Sequence, residues 1–337
     1  MILPVFSAAL VLVYETYIFD IDGVLISNNA VVKNSPEFVN YLYRQGKNVF
    51  FVTNNAQVNT FYKAEELFKY GFYFITPRHI ITPLDVLINY FKIHNYTNST
   101  IYLVSTRNIK ETLESKLAIK VLGFEAHAPL QEHFDYQDVI TSMKSKPSAV
   151  VIDEKPAFTM QQLATIINFL RDPEVKFFAL GTDMVWKGPN DILCPGGGAI
   201  KSVVEIVTGR TATSFGKPSI SLSDYIHSTM LIDVNRTIMF GDNLFTDIEF
   251  ANSNGFDACL MLTGVHSATD VDMVIRKKMY INIPRFVGNF SDIIKELSNM
   301  ISAHRFEIFA VTMMMCSFMY QCIMYIVVVL PKHNYLC

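Results

Sequence analysis

The chain has 337 residues, with 28 basic and 31 acidic side chains and a formal net charge of -3. This near balance gives no general attraction to nucleic acid or to an anionic membrane, so we expect a small-molecule partner and no nucleic acid. The length exceeds the usual size of one domain, which predicts two domains or one core with a large insertion.

The cysteines and the N-terminal residues bear on the compartment. The five cysteines are odd in number and form no Cys-x-x-Cys pair. That pattern favours a reducing compartment, and we expect a cytoplasmic location. Residues 2–13 are apolar, but they lack a basic start and lead directly into a predicted strand. We therefore interpret them as a first core strand rather than as a signal peptide.

A strand, a helix and a second strand are predicted after this segment. Residues 15–20 are rich in β-branched and aromatic side chains and end in a Gly turn. Pro36 suits the first turn of a helix that Gly46 would stop. Residues 48–53 form a continuous apolar run, which is typical of a buried parallel strand. The sequence therefore predicts a βαβ unit here.

The same pattern recurs near the other end of the chain. Residues 237–241 predict a buried strand that leads through Asp242 into a helix ending near Gly255. A further strand is predicted at 259–262. Between the two halves, strand-like segments at 101–104, 149–152 and 177–180 alternate with helical stretches such as 160–170.

We therefore predict an α/β fold with a parallel-sheet core that is built from both ends of the chain and interrupted by an α/β cap. The predicted bounds are 14–83 and 196–300 for the core and 84–195 for the cap.

Polar side chains follow three of the predicted core strands. Asp20 and Asp22 follow the first strand, Thr53 the second and Asp242 the third. Ligands of open α/β sheets bind outside the carboxyl ends of the strands, so these segments should converge on one crevice. One carboxylate could attack a phosphoryl group there while its neighbour handles protons. That chemistry requires a hard cation to neutralise the phosphate.

The expected cation is Mg²⁺, which prefers a few oxygen ligands together with water and substrate phosphate. The side chains of Asp20 and Asp242 and the backbone carbonyl of Asp22 could supply those oxygens, and Asp247 could orient them. Lys217 would add a mobile positive charge.

The residues Thr53, Asn54 and Asn55 carry a hydroxyl and two amides that could donate hydrogen bonds to phosphoryl oxygens. Taken alone, each of these motifs also has a structural explanation as a turn, a loop or a helix cap. Their occurrence in this order after strands favours the functional interpretation.

The ordered set resembles the haloacid dehalogenase superfamily of phosphatases, in its 4-nitrophenylphosphatase-like branch with phosphoglycolate phosphatase and pyridoxal phosphatase. The matching motifs are D-x-D-G-V at 20–24, T-N-N at 53–55, G-K-P at 216–218 and G-D-x-x-x-x-D at 241–247. The resemblance covers about residues 14–300. It implies a Rossmann-like core with a parallel sheet and a large inserted α/β cap.

The resemblance also implies roles for the site residues. Asp20 would be the nucleophile, and Asp22 the general acid and then the general base. Asp20, the Asp22 carbonyl and Asp242 would hold magnesium. The transferring phosphoryl group would be bound by Thr53, Asn54, Asn55 and Lys217. The substrate would be a small phosphorylated metabolite such as phosphoglycolate, glycerol phosphate, pyridoxal phosphate or an aryl phosphate.

The cap departs from the family pattern. Family members often have T-N-x-D where this chain has Thr182-Asp-Met-Val185, followed by Trp186 and Lys187. We interpret Trp186 and Lys187 as candidates for the leaving-group pocket, with packing inside the cap as the alternative for the tryptophan. Relatives pair through the cap, which implies a homodimer as a further hypothesis.

Residues 308–330 form an uncharged run of about 23 residues, long enough to cross a hydrocarbon core of roughly 30 Å as a helix. One interpretation is a transmembrane anchor with the catalytic part on the cytosolic side, which Arg305 and Lys295 favour and Lys332 weakens. The other interpretation is an artefact of the gene model.

Two alternative functions stay open besides a phosphatase. One is a catalytically silent binding or scaffold protein localised by the hydrophobic tail, although the retained acids and Lys217 argue against it. The other is a dehalogenase or phosphomutase on the same fold. Asp22 favours phosphoester chemistry over dehalogenation, because only a leaving alkoxide needs an acid to protonate it.

Overall fold

The computed structural model describes residues 3–57, 59–124, 134–188, 190 and 192–303, without the side chain of Lys187. Within these residues, no helix combines the length and the apolar character needed to cross a membrane. The hydrophobic run at 308–330 lies outside the described residues, so its two interpretations stay predictions.

Strands and helices alternate along most of the described chain, as expected for an α/β fold. The strands are β1 Thr16–Phe19, β2 Ile26–Ser27, β3 Ala30–Val31, β4 Asn48–Val52, β5 Ile80–Ile81, β6 Thr100–Val104, β7 Lys120–Leu122, β8 Ala149–Ile152, β9 Lys176–Ala179, β10 Val185–Lys187, β11 Leu193–Pro195, β12 Thr213–Ser214, β13 Thr237–Gly241, β14 Asp257–Met261 and β15 Phe286–Gly288. The helices are α1 Ser35–Arg44, α2 Thr60–Lys69, α3 Pro83–Ile93, α4 Arg107–Leu117, α5 Tyr136–Ser142, α6 Met160–Leu170, α7 Gly197–Thr208, α8 Ile220–Thr229, α9 Glu249–Ser253 and α10 Ala268–Arg276. Residues 290–303 are also helical.

The first sheet has the strand order β15-β14-β13-β1-β4-β5, and its neighbouring strands are parallel. All four residues of β1 are buried. Helices cover both faces of a parallel sheet, which is why its central strands are apolar throughout. β1 lies between β4 and β13, so strands from both of the chain segments predicted as core pair in one sheet.

The second sheet has the order β12-β9-β8-β6-β7 and is also parallel. It extends past residue 195, the predicted end of the cap, because β12 pairs with β9 and α7 packs on β8 and β9. The chain therefore leaves the second sheet only a few residues before Lys217. The sequence signal for this return was weak, because β12 is two residues long.

The N-terminal residues are part of the first sheet. Val5 forms a parallel bridge with Val287 of β15, and the backbone N–H of Phe6 donates to the Val287 carbonyl at 2.8 Å. The side chains of Phe6, Val11 and Tyr14 are buried in the apolar layer on one face of this sheet. The predicted strand is wrong, because Ala8–Leu12 forms a 3-10 helix and only Val5 bridges to the sheet, but the segment does pack into the core.

One apolar cluster runs between the two sheets. It contains Ile18 and Met239 from the first sheet together with Leu103 and Val151 from the second. Phe215 lies in the same cluster, where its ring packs near the ring of Phe178. The catalytic segments and the cap are therefore held by one continuous body of buried side chains.

Candidate active site

The carboxyl ends of the two parallel sheets open into one cavity. Asp20, Thr53 and Asp242 follow β1, β4 and β13, which are neighbours in the first sheet. Asp153 and Gly181 follow the ends of β8 and β9 in the second sheet. All five residues are buried, and all five line one cavity of about 450 Å³. The predicted convergence of the motifs is therefore present in the structure.

Lys217 lines this cavity, and three oxygen atoms lie close to its ammonium group. Its Nζ lies 2.7 Å from Oδ1 of Asp20, 2.6 Å from the carbonyl of Val52 and 2.7 Å from Oδ1 of Asp247. The lysine side chain is 1% exposed. The sequence suggested a mobile charge, but the structure shows a fixed ammonium group, because three oxygens surround it.

Three carboxylates surround this single ammonium group. Oxygens of Asp20, Asp242 and Asp247 lie within 4.8 Å of one another, and all three residues are buried. Oδ1 of Asp247 accepts no hydrogen bond despite its close ion-pair contact with Lys217. Burial and the neighbouring charge of Asp247 raise the pKa of Asp242 to about 8, and burial raises the pKa of Asp20.

This cluster fits a divalent cation. Three buried carboxylates share one positive charge, and repulsion among them is costly in a low-dielectric site. A hard dication bound by carboxylate oxygens would balance that charge. The residues present are therefore suited to Mg²⁺, with Asp247 close enough to take part beside the predicted ligands Asp20 and Asp242.

Backbone groups hold Asp242 in its place. Its Oδ2 accepts a hydrogen bond from the Val265 N–H at 2.7 Å. A Cβ at Gly264 would lie 1.8 Å from the same oxygen, so only a glycine permits this approach. Gly23 has a φ of +92° and would place a Cβ 2.4 Å from that oxygen, so it too must lack a side chain.

Asp247 is fixed by the turn that carries it. Its Oδ2 accepts hydrogen bonds from the backbone N–H groups of Asp242 and Asn243, at 3.0 and 3.1 Å. The residue sits in a π-helical turn, Leu244–Ile248, directly after the strand end. Such turns are common at functional sites because they re-aim side chains. The role of Asp247 in orienting the metal ligands stays a prediction.

Asp22 faces the open cavity. Surrounding protein atoms raise the pKa of its carboxyl group by desolvation, while Lys63 and Lys217 oppose that rise. The Thr53 hydroxyl donates to Oδ2 of Asp22 at 3.4 Å. This arrangement leaves Asp22 accessible to a bound substrate and to water. It is the arrangement that a general acid and base requires.

The two asparagines of the T-N-N motif occupy different positions. The Asn54 side chain accepts from the Lys217 N–H at 2.6 Å and donates to the Thr182 hydroxyl at 3.0 Å. Asn54 therefore links the loop that contains Lys217 to Thr182 of the cap. Asn55 is exposed at the cavity, where its Oδ1 accepts from the Gln57 N–H. Phosphate binding by Thr53, Asn54 and Asn55 stays a prediction.

Comparison with known proteins identifies the family. The family model described as haloacid dehalogenase-like hydrolase matches residues 17–116, and a second, HAD-hydrolase-like model matches residues 214–283. The first match contains Asp20 and Thr53, and the second contains Lys217, Asp242 and Asp247, whereas the cap residues of the site lie outside both matches. The chain belongs to the haloacid dehalogenase superfamily. The resemblance inferred from the four motifs is thus confirmed.

Individual proteins of several names are similar to this haloacid dehalogenase-like chain. A putative NipSnap protein of Caenorhabditis elegans is 33% identical over 72% of this chain, and the match spans 47% of that protein. Human glycerol-3-phosphate phosphatase is 28% identical over 86% of this chain and 93% of its own length. The glycerol phosphate phosphatase of Mycobacterium tuberculosis, solved in complex with magnesium, has a TM-score of 0.66 at 19% identity, covering 86% of this chain and 78% of that one.

The structure adds site residues of this haloacid dehalogenase-like chain that sequence reasoning missed. Lys63 lines the cavity from α2, and its Nζ lies 2.7 Å from Oε2 of Glu66. Gln57 links the core to the cap, because its Nε2 donates to Oδ2 of Asp153 at 2.7 Å. Neither residue belongs to a recognisable motif. Only the helical position of Lys63, just after T-N-N, could have suggested it.

Of the two cap residues predicted for the leaving-group pocket, the structure describes the side chain of Trp186 only. Trp186 lines the cavity and is 40% exposed, so it is placed at the site rather than in the interior of the cap. The side chain of Lys187 lies outside the described residues, and its role stays a prediction.

Proposed function

We propose that this phosphoric monoester hydrolase removes phosphate from a small metabolite, using Mg²⁺ and a phospho-aspartate formed at Asp20. The observation that carries the proposal is the buried cluster of Asp20, Lys217, Asp242 and Asp247 at the floor of a cavity of about 450 Å³. Asp22 stands beside this cluster, open to the cavity.

In the first half of the reaction, a carboxylate oxygen of Asp20 attacks phosphorus. The new bond joins that oxygen to phosphorus, and the ester bond to the leaving alcohol breaks. Lys217 holds Oδ1 of Asp20, which fixes the carboxylate for attack. Asp22 gives its proton to the leaving oxygen, so the alcohol departs neutral. Its raised pKa favours the protonated form needed for this step.

In the second half, Asp22 has become a carboxylate and accepts a proton from water. The water oxygen bonds to phosphorus, the bond between phosphorus and Asp20 breaks, and inorganic phosphate is released. Thr53, which donates to Oδ2 of Asp22, holds the base in position for the water. The same carboxyl group therefore serves as acid and then as base.

The metal is proposed to be bound by Asp20 and Asp242, with the Asp22 carbonyl as a further ligand and Asp247 beside them. When bound, Mg²⁺ would neutralise charge on the phosphoryl oxygens. The fit of the three carboxylates to a dication supports the proposal, and so does the magnesium complex of the mycobacterial structure.

The substrate class is a small phosphomonoester. Phosphoglycolate, glycerol phosphate, pyridoxal phosphate and aryl phosphates are the candidates, and glycerol-3-phosphate phosphatase is among the relatives that align along most of the chain. A cavity of about 450 Å³ accommodates ligands of that size. A cytoplasmic location, membrane contact through 308–330 and a homodimer formed through the cap remain proposals alongside this one.

The test is phosphate release from 4-nitrophenyl phosphate by the full-length protein, with and without Mg²⁺, together with Asp20→Asn. We expect magnesium-dependent turnover that the substitution abolishes. Asp20→Asn keeps the size of the side chain and removes the attacking carboxylate. No turnover by folded, magnesium-loaded wild-type protein would contradict the proposed function and would favour a silent binding protein.

A further inference from the structure

The acids that line the cavity fall into two groups. The core supplies Asp20, Asp22, Asp242 and Asp247, and the cap supplies Asp153, Glu154 and Asp183. We call the second group the cap acids. The proposed chemistry uses the core acids and leaves the cap acids without a role, although they line the same cavity.

The positive charges described at the cavity belong to the core. Lys217 contacts Asp20 and Asp247, and a bound dication would balance the rest of that cluster. Lys63 pairs with Glu66 and lies close enough to Asp22 to lower its pKa. Among the described lining residues, these two lysines are the only cations. Neither forms a salt bridge with a cap acid.

The described partners of the cap acids are neutral donors. Asp153 accepts from the Gly181 N–H at 3.0 Å and from Nε2 of Gln57 at 2.7 Å. Burial raises the pKa of Glu154 and of Asp183, and the side chains of Trp186 and Asn54, respectively, oppose that rise as hydrogen-bond donors. At Asp183 the nearby charge of Lys217 also opposes that rise. Neither acid forms a salt bridge with a described lysine that lines the cavity, so no ion pair there neutralises Glu154 or Asp183.

The three cap acids also differ in their access to a ligand. Asp153 is 3% exposed, whereas Glu154 and Asp183 are partly exposed to the cavity. Burial is the first cause that raises the pKa of both exposed acids. Another carboxylate placed against them would add repulsion, whereas a hydrogen-bond donor would satisfy their free acceptor positions.

We propose that Glu154 and Asp183 select substrates whose leaving group carries hydroxyl or ammonium donors and disfavour substrates whose leaving group carries a carboxylate. This inference rests on the proposed phosphatase function and narrows its substrate class. The rest of the wall agrees with it, because the turn residues Asn28 and Asn29 offer neutral amides at the cavity. Polyol phosphates and amino-alcohol phosphates fit this surface better than phosphoglycolate does.

The first experiment compares kcat/KM of the full-length, magnesium-loaded protein for three substrates of similar size. They are glycerol 3-phosphate, O-phosphoethanolamine and 2-phosphoglycolate, with 4-nitrophenyl phosphate as the reference. We expect 2-phosphoglycolate to be at least about tenfold poorer than the better donor substrate, because like charges oppose its binding. The other two substrates distinguish hydroxyl from ammonium recognition.

The variants are Glu154→Gln and Asp183→Asn, singly and together, since both changes keep shape and remove charge. We expect the ratio of kcat/KM for 2-phosphoglycolate over glycerol 3-phosphate to rise by about tenfold in the double variant. Glu174→Gln is the matched control, because it removes one negative charge from an exposed cap position away from the cavity. The control should leave the ratio unchanged.

A measurement on wild-type protein covers the case in which the variants fail to fold. Raising the salt concentration from about 0.02 M to about 0.5 M screens charges and should raise the same ratio. Turnover of 4-nitrophenyl phosphate with a preference for 2-phosphoglycolate, or a ratio that neither charge removal nor salt changes, would overturn the inference alone. Absence of all turnover would overturn both proposals.

Discussion

At the scale of single residues, the site depends on glycines whose backbone lies against the Asp242 carboxylate with no side chain between them. Gly264 is the sharpest example, because its missing Cβ would overlap Oδ2 of Asp242. Gly264→Ala should therefore displace a proposed metal ligand. We expect the Mg²⁺ concentration for half-maximal activity to rise at least about tenfold, as measured by a magnesium titration.

A matched glycine separates this effect from loss of stability. Gly46 has a φ of +74°, and a Cβ there would meet nothing within 4 Å. Gly46→Ala should cost about 1 kcal/mol of stability through backbone strain and leave the magnesium titration unchanged. An equal shift of that titration in both variants would show that Gly264 acts only through stability.

Asp153 provides a prediction about pH. Burial raises its pKa to about 7 in the folded protein, whereas an unfolded aspartate titrates near about 4. Between these values the folded state keeps a proton that the unfolded chain has lost, so this residue lowers the free energy of unfolding as pH rises. The loss begins near about pH 4 and is complete above about pH 7.

Asp153→Asn removes this dependence. The quantity to compare is the free energy of unfolding of the variant minus that of wild type. This difference should be larger at about pH 8 than at about pH 5, by on the order of a few kcal/mol. Urea denaturation at both pH values measures the difference. Asp292→Asn, at an exposed position, is the control that should show no such change. The same stability difference at both pH values for Asp153→Asn would contradict the prediction.

Much of the site could be predicted from residues that belong to motifs. Asp20, Asp22 and Asp242 follow strands, and strand ends of a parallel sheet meet at one edge. Gln57 could not be predicted, because its role depends on how the cap lies over the core. Lys63 was missed because it belongs to no motif. The fixed state of Lys217 was also missed, since a sequence does not show that three oxygens surround one ammonium group.

At the scale of elements, the N-terminal segment has the clearest test. Phe6 is 1% exposed and packs edge-on against the rings of Phe240 and Phe286. Phe6→Ala should lower the free energy of unfolding by about 3–5 kcal/mol, because it removes a buried ring. Leu12→Ala is the control, since Leu12 is 74% exposed. A small effect at Phe6, equal to that at Leu12, would contradict a core role for this segment.

Strongly patterned elements were predictable, and short ones were not. The helix predicted at 160–170 is α6, Met160–Leu170, whose capping box joins Thr159 and Gln162. The continuous apolar runs became β4 and β13, because burial on both faces favours uniform apolar sequence. The two-residue strands β5 and β12 carry no readable period. Because β12 was not predicted, the return of the chain to the cap sheet was not predicted either.

At the scale of the whole molecule, the shared apolar cluster determines how the protein unfolds. Because buried side chains of both sheets belong to one cluster, neither sheet can lose its packing alone. We expect a single endotherm in scanning calorimetry, with a ratio of calorimetric to van't Hoff enthalpy near about 1. Two resolved transitions would show that core and cap unfold independently.

The bridge between Val5 and Val287 also protects one edge of the first sheet against aggregation. It covers the backbone of β15, which is otherwise the outer strand of its sheet, and the opposite outer strand, β5, has only two residues. Exposed strand edges pair with other chains. A chain shortened to begin after Tyr14 would expose the N–H and C=O groups of β15 to pairing with strands of other molecules. We therefore expect such a chain to aggregate.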